Sequence, residues 1–418
     1  MFQNSGLSLD QAPPIQVVLR LFLSGSIFGV IASLMLFFWH DSLSNLTDAK
    51  TLAIVHSLTL GVMASFMLGA LFQMMPVLCG VSIKTAQDLA LRVNYTLFFG
   101  TIFLIFAFLY SKSILFIIAS ILLGYAIFTS AYSMIKNLIN IEHSSSSRGM
   151  LIALFGLTIA VILALLMVGA RAGINIDLNY INIKTLHYNF GLFAWVAILI
   201  ISVSFQVIEM FYVAPPYNKI YSKYITMILF VVLILYAISL FVGMNGTIFP
   251  YIISLIIASF SIYTLYNLKR KKRPLSDASF YFWVLGLSFA IFSSLATIFN
   301  LPTLITATLF AIFPISIVFA MSYKIVPFLV WFHLNAQGYF DAPMMHEVVS
   351  PKYAKGNFWL LFMAAIFLTI STTYAPLYYL ASILLLLSFG MLFVTIYNAF
   401  DIYSNTIKYG KKINLSFS

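Results

Sequence analysis

Apolar runs, each about 20 residues long and so able to cross the hydrocarbon core of a bilayer, follow one another from Leu21 almost to the C-terminus with only short polar breaks. A chain built this way cannot bury its apolar surface in one water-soluble core. Of its 418 residues 62% are hydrophobic and only 8% are charged, against roughly a quarter charged in an ordinary soluble domain. The sequence therefore predicts an all-α integral membrane protein surrounded by a lipid bilayer.

The apolar runs place twelve helices near 17–39, 51–78, 91–111, 113–134, 149–170, 185–212, 222–243, 247–267, 279–299, 302–332, 356–374 and 376–401. The first run is long, lacks a small-residue cleavage pattern and is read as a span, not a removable signal peptide. An even number of spans puts both termini on one side. Of the 22 Lys and Arg, only Lys50, Lys112, Arg171 and Lys184 fall on the opposite side and Lys324 falls inside a span, which leaves 17 on the terminal side. By the positive-inside rule both termini are expected in the cytoplasm. The net charge of +11 then reflects topology, and nucleic acid is not an expected partner. The run from Lys269 to Arg273 reads as a stop signal beside anionic lipid.

The polar residues inside the spans suggest an internal repeat. Span two ends in Phe72-Gln73-Met74-Met75-Pro76-Val77, span six in Phe205-Gln206-Val207-Ile208-Glu209-Met210, and span ten carries Tyr323-Lys324-Ile325-Val326-Pro327-Phe328. These helices are four apart, so the chain reads as three pseudo-repeats of four, 17–134, 149–267 and 279–401. Around a pseudo-threefold axis, Gln73, Gln206 and Lys324 are expected at one depth, with Glu209 a turn further on. Buried polar groups need partners or water. A Lys324–Glu209 contact, a small hydrated cavity, or a Lys324 snorkelling to the interface would each meet that need.

Histidine carries the metal-binding potential, because Cys79 is the single cysteine and leaves no thiolate zinc or iron–sulfur set within the chain. His56 opens span two and His187 opens span six, both toward the side away from the termini. A glycine follows each within a turn or so, Gly61 and Gly191, where a flat macrocycle can approach bare backbone. Each histidine is either a ligand of haem iron or copper or a structural hydrogen-bonder, with Tyr188 and Asn189 as nearby partners for His187. Arg171 and Lys184 are candidates to neutralise haem propionates or to act as interfacial anchors. His333 is expected near the terminal side, apart from His56. His40 and His143 are expected in solvent, and His346 on a surface helix. Met67, Met74, Met75 and Cys79 share the span of His56, a collection that suits copper or plain packing.

In span count, fourfold helix spacing, His56, and the segments 56–61 (His-Ser-Leu-Thr-Leu-Gly), 69–78, 205–216 and 324–334, the chain resembles the NnrS-like and haem-copper oxidase subunit I-like membrane proteins. The resemblance implies the twelve-helix architecture of the oxidase large subunit. In that subunit a span-two and a span-ten histidine hold a low-spin haem, another span-ten histidine holds the active-site haem, and three on spans six and seven hold copper. His56 matches the first position. Span seven here has no histidine and span ten has none in its outer half, so the resemblance does not extend to a competent terminal oxidase. For NnrS-like proteins it implies haem, copper, nitric oxide tolerance, a bacterial cytoplasmic membrane and a respiratory-chain or redox partner, with His56 and His187 as ligands. The competing reading is a transporter with a polar path past Gln73, Gln206, Glu209 and Lys324.

Overall fold

The computed structural model describes residues 13–171, 179–272 and 276–412; Arg273, the last of the basic run, lies outside them. Among these residues twelve helices are long and apolar enough to cross a membrane: α1 (Ile15–Ser44), α2 (Ala49–Cys79), α3 (Ala86–Tyr110), α4 (Ser113–Leu138), α5 (Ser145–Arg171), α6 (Tyr180–Tyr212), α7 (Lys219–Val242), α8 (Ile248–Lys269), α9 (Ala278–Ile298), α10 (Thr303–Ala336), α11 (Pro351–Ser371) and α12 (Leu377–Tyr409). The protein is an all-α twelve-span membrane protein, as its apolar pattern predicts. Several helices outrun their apolar windows, α12 by eight residues beyond 401 and α3 by five before 91. Hydropathy marks where lipid ends, whereas the backbone ladder continues into polar surroundings.

Helix ends follow local chemistry. Asp48 caps α2 by accepting from Lys50 N at 2.8 Å, and Asn179 caps α6 by accepting from Ile181 N and Asn182 N. Gly80 ends α2 at φ +64°, with Gly80 N bonded to Pro76 O and Val81 N to Met75 O, the crossed bonds of a left-handed glycine cap. Buried hydroxyls are mostly returned to their own helix, as Ser26 to Phe22 O and Ser130 to Ala126 O. Most serines and threonines thus cross the lipid with their donors satisfied, the buried Thr226 and Ser316 hydroxyls being exceptions.

Burial separates an inner set of helices from an outer one. In α2 and α6, 78% and 72% of the most apolar window is buried, and in α1 and α10 61%, while α3, α4, α5, α7 and α8 reach only 33% to 44%. The outer spans expose Ile121, Ile162, Val231 and Leu255, a surface suited to lipid. α2, α6 and α10 line a partly open central cavity of about 70 Å³, with Phe22 of α1 and Trp283 of α9 also in its wall. Its wall is nearly all apolar, and Gln73, Gln206 and Lys324 are not among the residues that line it.

α2 and α6 have the same internal anatomy. Each starts α-helical, opens into eight residues of π-helix (Ser57–Ala64 and Phe190–Ala197), and closes with fifteen residues of α-helix (Ser65–Cys79 and Ile198–Tyr212). The two π segments lie 133 positions apart, the same offset as Gln73 and Gln206. On that register His56 stands opposite Asn189, not His187, which sits two residues earlier. α10 carries no π segment among its described residues.

Candidate functional site

Two histidines from distant parts of the chain meet between α2 and α6. The His56 and His187 rings lie 6.3 Å apart, centroid to centroid, and within 11° of parallel. Both are half-buried. Each stands just ahead of a π segment, a local widening of the helix that frequently occurs at functional sites.

Backbone carbonyls fix the tautomer of both rings. His56 Nδ1 lies 2.8 Å from Leu52 O on its own helix, and His187 Nδ1 lies 2.9 Å from Ala160 O on α5. A carbonyl only accepts, so each Nδ1 carries the proton and donates it. The neutral ring then keeps its lone pair on Nε2. Carbonyl-anchored Nδ1–H with a free Nε2 is how metal-binding histidines are oriented. Tyr188 and Asn189 do not complete His187: Tyr188 is exposed, and Asn189 Nδ2 donates to Thr185 O at 2.8 Å.

The helix contact behind His187 depends on a glycine. A Cβ at Gly156 would stand 2.6 Å from Ala194 Cβ and 2.8 Å from Ala194 C, so only glycine lets α5 lie directly on the π segment of α6. Ala160 is one turn further along α5, and this approach brings its carbonyl to His187. The two glycines expected to open space for a macrocycle differ. Gly61 faces the Phe28 ring, which fills its bare side, whereas nothing stands within 4 Å of a Cβ at Gly191.

Phe108 of α3 joins Arg171 to the site. Its ring is 5.0 Å from the His56 ring, and the Arg171 guanidinium lies 5.8 Å over it and 6.0 Å over Phe116. Arg171 Nε also meets Tyr180 Oη at 3.3 Å, which ties the end of α5 to the start of α6. Lys184 is half-buried on α6 one turn before His187, on the same helix face. The structure therefore gathers His56, His187 and Arg171 in one neighbourhood, with Lys184 a turn away.

The polar residues toward the other end do not form the contacts expected of them. Lys324 pairs with Asp277, not Glu209, and its ammonium also lies 5.4 Å over the Tyr212 ring. Asp277 caps α9 by accepting from Phe280 N at 3.1 Å, so the lysine reaches a carboxylate already held at a helix start. Glu209 is exposed, Gln206 is half-buried, and Gln73 is buried with neither amide atom hydrogen-bonded. The four residues form no continuous polar file. Asp277 was readable as an N-cap directly before an apolar run, whereas neither the π segments nor the Ala160 carbonyl has a sequence signature.

His333 lies near the far end of α10 from the His56 level, edge-on to Phe332, and takes no part in the pair. His40 departs from the solvent position expected of it: it is buried against Tyr378 and Tyr379 of α12, because α1 packs along that helix. His143 is half-buried with Nδ1 3.5 Å from Ser147 Oγ, and His346 is exposed on the single turn Met345–Val348. No cluster of three or more His, Cys, Asp or Glu able to hold a metal occurs among the described residues. A metal at the pair would therefore rest on two protein nitrogens. The chain matches no protein-family model and no curated protein.

Proposed function

We propose that this chain is a metal-centred membrane protein in which His56 and His187 hold one transition-metal centre, haem iron or a copper ion. The observation that supports this reading is the pair of near-parallel imidazoles, both with Nδ1 donated to a carbonyl. Metal–imidazole bonds are about 2 Å long, so with the half-width of each ring, two imidazoles on opposite sides of one ion have centroids about 6 Å apart. The pair stands at 6.3 Å. Two neutral imidazoles suit either iron or copper. A bound centre of either kind would supply one-electron chemistry, and a copper ion held by only two imidazoles would also have room for a small ligand.

In this reading the protein's own residues orient and insulate the centre. The Leu52 and Ala160 carbonyls hold the rings, Phe108 keeps the His56 side apolar, and Arg171 and Lys184 supply positive charge for haem propionates. The resemblance to NnrS-like and haem-copper oxidase-like proteins adds the setting: a bacterial cytoplasmic membrane, termini in the cytoplasm, and service to respiration or nitric oxide stress through a redox partner. Absorption spectra of the oxidised and dithionite-reduced protein, with iron and copper determined on the same sample, test it. One metal centre per chain, lost in His56→Ala and in His187→Ala while both variants still reach the membrane, is the expected result. Unchanged metal content in both variants overturns it.

A further inference from the structure

The helix that carries His56 also concentrates the soft donors of the chain. Met63, Met67, Met74 and Met75, four of the 17 methionines, and the single cysteine Cys79 all lie in α2. Two of these thioethers do not simply pack. Met67 and Met74 line the central cavity, and Met321 of α10 lines it from another side. Below the cavity, toward the side of the termini, Cys79 Sγ lies 3.8 Å from Met150 Sδ of α5. Met150 is fully buried and Cys79 half-buried.

These groups are strung along the membrane normal. At 1.5 Å per residue, Met67 to Cys79 spans about 18 Å and His56 to Cys79 about 34 Å, comparable to the ~30 Å hydrocarbon core. Imidazoles stand at one end, thioethers around a void in the middle, and a thiol with a thioether at the other end. At each level the donor on α2 is met by one from another helix: His187, Met321 and Met150.

The lining decides which solute such a route suits. Sodium, potassium, magnesium and calcium require several oxygen ligands. The only side-chain oxygen in the cavity wall is Ser322 Oγ, which already donates to Val318 O at 2.8 Å. Thioethers, thiolate and imidazole are the donors chosen by a soft d¹⁰ ion, Cu(I) foremost. A cation in the hydrocarbon core is costly without ligands that replace its water, and polarisable sulfur replaces it for Cu(I) and not for the hard ions. About 70 Å³ holds an ion and its ligands' movement but no organic cofactor.

We infer that the methionine-lined cavity and the Cys79–Met150 contact are successive stations for Cu(I) passing between the histidine pair and the side of the termini. This rests on the histidine pair receiving the ion, and it adds an identity and a route for the metal.

Proteoliposomes of the full-length protein, with a membrane-impermeant Cu(I) chelator trapped inside and Cu(I) held reduced by ascorbate outside, test the route. Uptake at least tenfold above protein-free vesicles is expected, inhibited by Ag(I) and indifferent to Na⁺. The volume-conserving variant Met67→Leu/Met74→Leu/Met321→Leu should fall to the protein-free rate while keeping the metal at the histidines. Should that variant fail to fold, Met321→Leu and Cys79→Ser alone should each slow uptake at least threefold. Wild-type protein that binds metal at the histidines yet carries none into vesicles, or methionine variants within twofold of wild type, overturn the route and leave the histidine reading standing. Undiminished uptake in His187→Ala overturns the pair as the point of entry.

Discussion

Two polar pairs stand at opposite ends of this apolar molecule, and they are built on different principles. Lys324 and Asp277 join opposite charges, and the carboxylate caps α9 as well. Nothing further is needed there: each group completes the other. His56 and His187 bring together two groups of the same kind, each already donating its one proton to a carbonyl. Two neutral rings with lone pairs on Nε2 cannot hydrogen-bond to each other, because neither has a proton left to give. A complementary pair closes on itself, whereas a like pair leaves both lone pairs unused, and in the proposed function a metal takes them up. Metal content and stability should therefore respond oppositely at the two ends.

The largest difference is expected in metal occupancy. His56→Ala or His187→Ala should lower bound metal at least tenfold while moving the unfolding midpoint of the metal-free protein little, whereas Lys324→Met should leave metal content unchanged. Metal analysis beside unfolding curves checks both halves, and equal metal loss in Lys324→Met would erase the distinction. Acid separates the ends as well. A metal-bound imidazole must be neutral, so protons compete for both Nε2 atoms. Affinity should fall once the pH is low enough to protonate the metal-free imidazoles, and more steeply in wild-type protein than in a variant that keeps one of the two rings. An equilibrium titration carried down through acid compares the two slopes, and equal slopes would mean that the second ring is not a ligand.

Stability should report the other pair. Asp277→Ala strands the lysine and removes a helix cap, at a cost of about 2 kcal/mol, less than for a fully buried pair because the carboxylate is partly exposed. Adding Lys324→Met should restore all but the cap's contribution of about 1 kcal/mol. Reversible unfolding in mixed micelles gives both values. A double variant no more stable than Asp277→Ala would mean that the two charges are not coupled.

The apolar periodicity made the twelve spans legible, because a bilayer imposes one length and one backbone solution on each of them. His56 and His187 were singled out for standing at the same ends of two spans, and the structure brings them together. The orientation of His187 was not legible. It depends on the Ala160 carbonyl, reached only because Gly156 lets α5 lie on α6, and a main-chain oxygen leaves no mark in a sequence. The π segments were hidden for a similar reason, since their residues are as apolar as the α-helix on either side. Glu209 is one of the partners the sequence offers Lys324, because it is close to it in the aligned repeats, whereas the structure pairs the lysine with Asp277. Repeat position fixes depth along a helix but not the direction in which a side chain points, and Asp277 precedes α9, outside any span.

The two glutamines at matching positions of α2 and α6 give the smallest test. Gln73 is buried with both amide atoms unpaired, whereas Gln206 is half-buried. A buried amide without partners is a cost that an apolar side chain of similar size removes. Gln73→Leu should therefore stabilise the protein by about 1 kcal/mol, and Gln206→Leu should change it by less than about 0.5 kcal/mol. Unfolding of the two variants measured side by side decides the sign. A stabilising Gln73→Leu with undiminished metal binding makes the amide an incomplete group that the fold tolerates, in contrast to Lys324. A destabilising one means that Gln73 is completed by something bound beside the central cavity, and it would then belong with the histidines as a group awaiting its partner.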